Sequence, residues 1–138
     1  QSPDAVNDDP ATWTVASSAQ PTPEQLQQAG FAWKVCAAVS SNAIVVTQNN
    51  EAVGIGGGQQ NRLDAARLAC ERAGTRAIGG VAASDAFFPF RDGLDMLATA
   101  GVHVVVEPGG SVRDEEVIAA ANEHGIVLIF TGARHFRH

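Results

Sequence analysis

Cysteine is scarce: Cys36 and Cys70 are the only two, and no Cys-x-x-Cys occurs. That excludes a disulfide framework and a cysteine zinc knuckle, and a reducing compartment is the plain expectation. Lysine is scarcer still. Lys34 stands alone, so the glycine-rich segment further on cannot be a Walker phosphate loop. Nine cations face fifteen anions, for a net charge of −6. A domain this acidic lacks the clustered cations that grip a phosphate backbone, so nucleic acid is not an expected partner. Apolar runs such as residues 35–39 and 126–130 are far too short for a membrane span, and no secretory signal is visible. The histidines His103, His124, His135 and His138 fit no metal-ligand spacing, and no G-x-S-x-G elbow occurs.

What remains is a chain of 138 residues, 45% hydrophobic and 17% charged, enough for one globular domain with a real core. It opens at Gln1 rather than Met, which reads as a piece of a longer protein or a processed product. Residues 1–30 carry four anions and no cation. Residues 1–10 are polar and weakly patterned, and read as a mobile arm ahead of a domain at 11–138.

The pattern is that of an α/β domain. Residues 11–16 hold a short strand. Thr22 followed by Pro23 marks a helix start that Gly30 interrupts, and a second helical stretch at 31–39 puts Phe31, Val35 and Val39 on one face. Strands are expected at 43–47 and 52–55, joined at Asn49-Asn50, then at 78–83, 102–106 and a central 126–130. Helices are expected at 61–73, 92–100 and from Ser111 to His124, the last with a capping-box pattern between Ser111 and Asp114. Strands alternating with helices argue for layered α/β architecture.

Several segments carry chemistry. The cluster Gly54-Ile-Gly-Gly-Gly58 follows a strand and precedes a helix, and is either an anion cradle or a hairpin exit needing positive φ. Arg62 sits where the helix dipole disfavours a cation; an anionic or polar ligand or a simple surface position accounts for it. Three of the six phenylalanines crowd around Pro89 between a strand and a helix, where open α/β sheets place ligands or bury a connection. Gly109-Gly110-Ser111 offers backbone N–H groups ahead of a helix. The basic, aromatic end Arg134-His135-Phe136-Arg137-His138 suits an anion site or a solvated tail.

Taken in order, Ser41-Asn42-Ala43-Ile44, the run from Val53 to Arg62, the run from Ser84 to Asp92, the run from Pro108 to Asp114, and the terminal Arg134-His135-Phe136-Arg137-His138 resemble the C-terminal part of the AICAR transformylase region of the PurH family. The resemblance spans roughly residues 11–138. It implies a metal-free, cytidine-deaminase-like layered α/β/α unit, the second of two in that region. It implies a cytoplasmic formyltransferase that moves a formyl group from the co-substrate 10-formyltetrahydrofolate to the amine of AICAR. The parent protein would also be an IMP cyclohydrolase and a homodimer with active sites at its interface. Matching positions assign Asn42, Arg62, Phe87 and Arg134 to the nucleotide, and Leu63, Asp92, Ser111 and Val112 to the folate. His138 and Phe136 would shape the pocket, His138 as a possible accessory to catalysis. The family's Lys-His proton-handling pair is missing, since Lys34 is followed by Val35. Little or no turnover is therefore expected of these residues alone. The alternatives are a non-catalytic nucleotide- or folate-binding module and a dimerisation module.

Overall fold

A computed structural model describes residues 9–132 of the chain. Its centre is a six-stranded mixed sheet ordered β1-β6-β5-β4-β2-β3, formed by β1 (Thr14–Val15), β2 (Ile44–Gln48), β3 (Glu51–Gly56), β4 (Val81–Ser84), β5 (Val104–Glu107) and β6 (Val127–Phe130). The helices are α1 (Pro23–Ala37), α2 (Arg62–Ala73), α3 (Asp92–Thr99) and α4 (Asp114–His124). Strands β4, β5 and β6 are parallel, while β1, β2 and β3 pair antiparallel to their neighbours.

Strand alternation divides the core in two. Ile44, Val46, Ala82, Val105 and Leu128 join the buried residues of α2, α3 and α4. Their immediate neighbours Val45, Val81, Ala83, Val104, Val106, Val127 and Ile129 join α1. This is the period-two arrangement of a sheet buried on both faces, which β-branched residues favour. The expected central place of β6 is one strand off, because it lies between β5 and the two-residue edge strand β1.

Helix α1 is continuous, against the expected break at Gly30. Thr22 and Gln25 close a reciprocal capping box, and Pro23 fits the first turn. Gly30 serves close packing: a Cβ there would stand 3.0 Å from Pro10 Cγ. Pro10 itself opens a 3-10 turn capped by Asp9, so the structured chain includes a residue read from sequence as arm. The buried face of α1 is Ala29, Ala32, Trp33 and Cys36, whereas Phe31, Val35 and Val39 are only partly buried. Trp33 is fully buried and meets Trp13 edge-on at 6.0 Å between ring centroids, a favoured aromatic geometry.

The β2–β3 hairpin turns through Asn49 and Asn50, both at positive φ, a conformation asparagine tolerates well. Two of the glycines that follow serve a purpose other than the expected one. A Cβ on Gly54 would lie 2.0 Å from the Ala69 carbonyl oxygen, and one on Gly56 2.2 Å from that of Ala65. They let the alanine-lined face of α2 rest against the backbone of β3. Only Gly58 in this cluster has positive φ.

Candidate functional site

One end of the sheet gathers four of the segments that stood out in the sequence, all within the described residues. Ile44 at the start of β2 pairs with Gly56 at the end of β3 and with Ser84 at the end of β4. Parallel pairing brings the end of β5 alongside. The Ser41-Asn42 turn, the glycine run, the phenylalanine loop and the Gly109-Gly110 loop therefore converge, although 12 to 69 positions separate them. Ligand sites of open α/β sheets form at such strand ends.

At the centre lies a buried polar cluster. Arg62, the first residue of α2, is 7% exposed, and its Nη1 forms an ion pair with Asp85 Oδ1 and donates to the Ala43 carbonyl at 3.1 Å. Its Nη2 donates to Asn42 Oδ1 at 2.9 Å. Asp85, 1% exposed, also accepts from the Ser41 hydroxyl at 2.6 Å and from the Ala43 amide at 3.2 Å. Asn42 Nδ2 donates to the Gln59 carbonyl at 2.9 Å, and the backbones of Asn42 and Gln59 exchange two further bonds. The expected surface position of Arg62 gives way: the guanidinium is buried, and its counter-charge is the protein's own Asp85. Asn61 supplies the helix cap by accepting from the Asp64 amide, so the dipole is met by a neutral side chain and the cation turns inward.

Three of the five guanidinium N–H donors are engaged within the described residues. Arg62 also lines an open cleft of about 300 Å³, together with Asn61, Leu63, Pro89, Phe90 and Asp92. The cleft thus joins one expected nucleotide residue, Arg62, to two expected folate residues, Leu63 and Asp92. Asn42 is bonded to Arg62 directly behind it. Asp92 is exposed, with one oxygen accepting from the Gly93 amide at 2.8 Å. Phe87 is half-buried on the same loop. Ser111 and Val112 lie outside the cleft lining, on the neighbouring loop, with Val112 fully exposed. The two loops touch where the Arg113 guanidinium stacks 4.9 Å from the Phe90 ring centroid. Arg134, Phe136 and His138 lie outside the described residues.

The expected bare amides at Gly109–Ser111 are in use. Glu107 accepts from the Gly109 amide at 2.7 Å, and the Asp114 carboxylate accepts from Gly110 and Ser111 at 2.8 and 3.1 Å. Ser111 Oγ accepts from the Arg113 amide, two residues on, and α4 starts only at Asp114. The acid faces back into the loop because two glycines at positive φ curl the chain toward it.

Sequence reading passed over three contributors: Ser41, Asp85 and Glu107. Arg62 at a dipole-unfavourable position was a usable signal for a buried acid. A glutamate closing the β-branched run of β5 just before Pro-Gly-Gly was another. Glu107 is fully buried, and burial pushes its carboxyl up to about 7, opposed by the Phe88 and Gly109 amides. Cys36 is buried, and its thiol is pushed well above the usual range by that burial; Cys70 is pushed up to about 11 for the same reason. Among the described residues no cluster of three or more His, Cys, Asp or Glu is arranged to hold a metal, and no helix is long and apolar enough to cross a membrane.

The architecture defines a class first. The chain superposes on two forms of RibD from Acinetobacter baumannii with TM-scores of 0.53 and 0.51, at 19% identity, over 74% of this chain and 32% of that one. That likeness establishes a shared mixed α/β fold. The family follows from sequence: residues 1–72 match the model of the AICARFT/IMPCHase bienzyme, and the chain belongs to that family. It is 58% identical over 135 residues to the bifunctional purine biosynthesis protein PurH of Mycobacterium marinum, covering 98% of this chain and 26% of that protein. It is 51% identical over 138 residues to the PurH of Synechocystis, covering 100% and 27%. The chain spans about a quarter of the length of the curated relatives it matches.

Proposed function

We propose that residues 11–138 form the second cytidine-deaminase-like α/β/α unit of an AICAR transformylase and supply part of a composite active site. The supporting observation is the convergence of Arg62, Leu63 and Asp92 on one cleft, with Asn42 bonded to Arg62 and a buried ion pair holding that arginine. In this reading Asn42, Arg62, Phe87 and Arg134 hold the nucleotide. Asn42 and Arg62 are preorganised, because Asp85 and Gln59 hold them before any ligand arrives. The remaining guanidinium donors of Arg62 serve an acceptor on the nucleotide. Leu63 gives the folate an apolar wall, and the free oxygen of Asp92 accepts from its amino-pyrimidine edge. Ser111 and Val112 complete the folate side from the adjoining loop. 10-Formyltetrahydrofolate supplies the formyl group when bound, and no metal is required.

The amine of AICAR is conjugated and weakly nucleophilic, so its attack needs a proton acceptor and a donor for the oxyanion. The described residues hold the substrates but offer no Lys-His pair for that work. The 138 residues alone are therefore inactive. The remaining machinery comes from a longer, cytoplasmic, homodimeric protein that also closes the IMP ring. The absence of that pair equally favours a second reading, a nucleotide- or folate-binding or dimerisation module.

The test is steady-state kinetics on a polypeptide of the relatives' length containing this segment. Asp92→Asn should raise KM for the folate at least about fivefold and leave KM for AICAR unchanged. Equal loss for both substrates, or none for either, would overturn the assignment. Arg134→Ala should weaken AICAR binding by about 1.5–3 kcal/mol through a lost charge-assisted bond.

A further inference from the structure

Glu107 closes β5 at the point where two loops meet, and both loops carry residues that the transformylase reading gives to ligands. Its two oxygens are divided between them. Oε2 accepts from the Phe88 amide at 3.3 Å, and Oε1 accepts from the Gly109 amide at 2.7 Å. Among the described residues no cation forms an ion pair with this carboxylate. The charged groups that act on it are Arg62 of α2, which favours ionisation, and Asp114 of α4, which opposes it. A fully buried carboxylate without a cation is costly. What it provides in return is an acceptor for two N–H groups from different loops, each of which would otherwise be stranded.

We propose that Glu107 is a positioning residue whose carboxylate couples the phenylalanine loop to the Gly109-Gly110 loop, keeping Phe87 and Asp92 in register with Ser111 and Val112. The assignment of those loops to ligands rests on the proposed function; the coupling does not. Phe88 passes the constraint onward. A Cβ at position 93 would stand 2.7 Å from its ring, so the start of α3, where Asp92 sits, is packed directly on it. Gly109 passes it to Ser111 and Val112 through the tight turn that Asp114 closes. A protonated Glu107 keeps one good acceptor oxygen, and its hydroxyl receives an amide N–H poorly. Acid therefore releases one arm of the latch.

The experiment follows the backbone amides of the full 15N-labelled chain from about pH 5.5 to about pH 8.5. The Phe88 and Gly109 resonances should move together with one midpoint near 7, and both should stay flat in Glu107→Gln. In Glu107→Ala both amides should exchange at least about tenfold faster while Val46 in β2 keeps its protection. Separate midpoints, or a titration that persists in Glu107→Gln, would overturn the coupling; the glutamine variant decides the matter if the alanine variant does not fold. Adding AICAR to a polypeptide of the relatives' length tests the other reading separately. If the nucleotide fails to bind there while the common titration stands, the transformylase assignment falls and the latch survives.

Discussion

Replacing Asp85 with Ala should be the most damaging single change in the site. It removes the counter-charge of a guanidinium that is 7% exposed, and breaking one half of a buried ion pair costs about 3–5 kcal/mol. The Ala43 amide also loses its acceptor, a further loss of about 1–3 kcal/mol if the group stays dry. These losses share one carboxylate and do not add, so about 4 kcal/mol is expected, against a typical domain stability of about 5–15 kcal/mol. Arg62→Met combined with Asp85→Ala should recover about 2 kcal/mol of that, because no bare charge then remains buried. Urea unfolding followed by tryptophan fluorescence reads both, since Trp33 is fully buried and packed against Trp13. If Asp85→Ala alone costs less than about 1 kcal/mol, or the double variant is no more stable than the single one, the pair does not carry the load argued for it.

Further expectations concern the packing and the titrating groups. Gly54→Ala should destabilise by more than the usual 1–3 kcal/mol of overpacking, because the new methyl meets the backbone of α2 rather than a movable side chain; denaturant midpoints give the value. Glu107 titrates higher folded than unfolded, so the folded chain keeps a proton between pH 4.5 and about 7 that the unfolded chain has released. Its contribution to stability is thus full below pH 4.5 and declines as pH rises to about 7, by up to about 3 kcal/mol. Glu107→Gln should abolish that decline in pH-dependent melting. Asp95 acts in the opposite direction: its hydrogen bonds with Arg91 and His124 hold its carboxyl low, so its support persists at neutral pH and fades only as acid protonates it. Cys36 should resist thiol reagents until the chain unfolds, while half-buried Cys70 reacts slowly in the native state at neutral pH.

The order of strands and helices was legible because the buried strands are short, largely apolar runs with glycine, proline or asparagine close by. The site was legible only through its motifs, and its logic lay elsewhere. Local signals mark Gly30 as a helix break, but they cannot see Pro10, which occupies the space the missing Cβ leaves. They read Gly54 and Gly56 as turn residues, when the demand comes from Ala69 and Ala65 of α2, fifteen and nine positions on, pressing on the strand. The helical spacing of Phe31, Val35 and Val39 is genuine, yet the sheet covers the adjacent face because small residues at 29, 32 and 36 let α1 approach. Arg62 looked like a surface or ligand-facing cation because its partner lies 23 positions away. In each case the deciding contact is tertiary, and propensity yields to it.

The register explains why residues of such different sequence depth act as one unit. Antiparallel pairing sets the first residue of β2 against the last residues of β3 and β4, and parallel pairing then sets the ends of β5 and β6 beside them. Asp85 is the first residue beyond β4, and Glu107 is the last residue of β5, where Ala83 opposite Val106 fixes the alignment. The two buried carboxylates therefore lie at the ends of neighbouring strands, at the same end of the sheet, with opposite duties. Asp85 pairs with a cation and binds the cluster to the strands behind it. Glu107 has no paired cation among the described residues and binds only backbone amides, one from each flanking loop. A one-residue slip of β5 would reverse the face of Glu107 and return both loops to solvent. The apolar alternation of residues 104–106 thus does more than fill the core: it aims the carboxylate that follows.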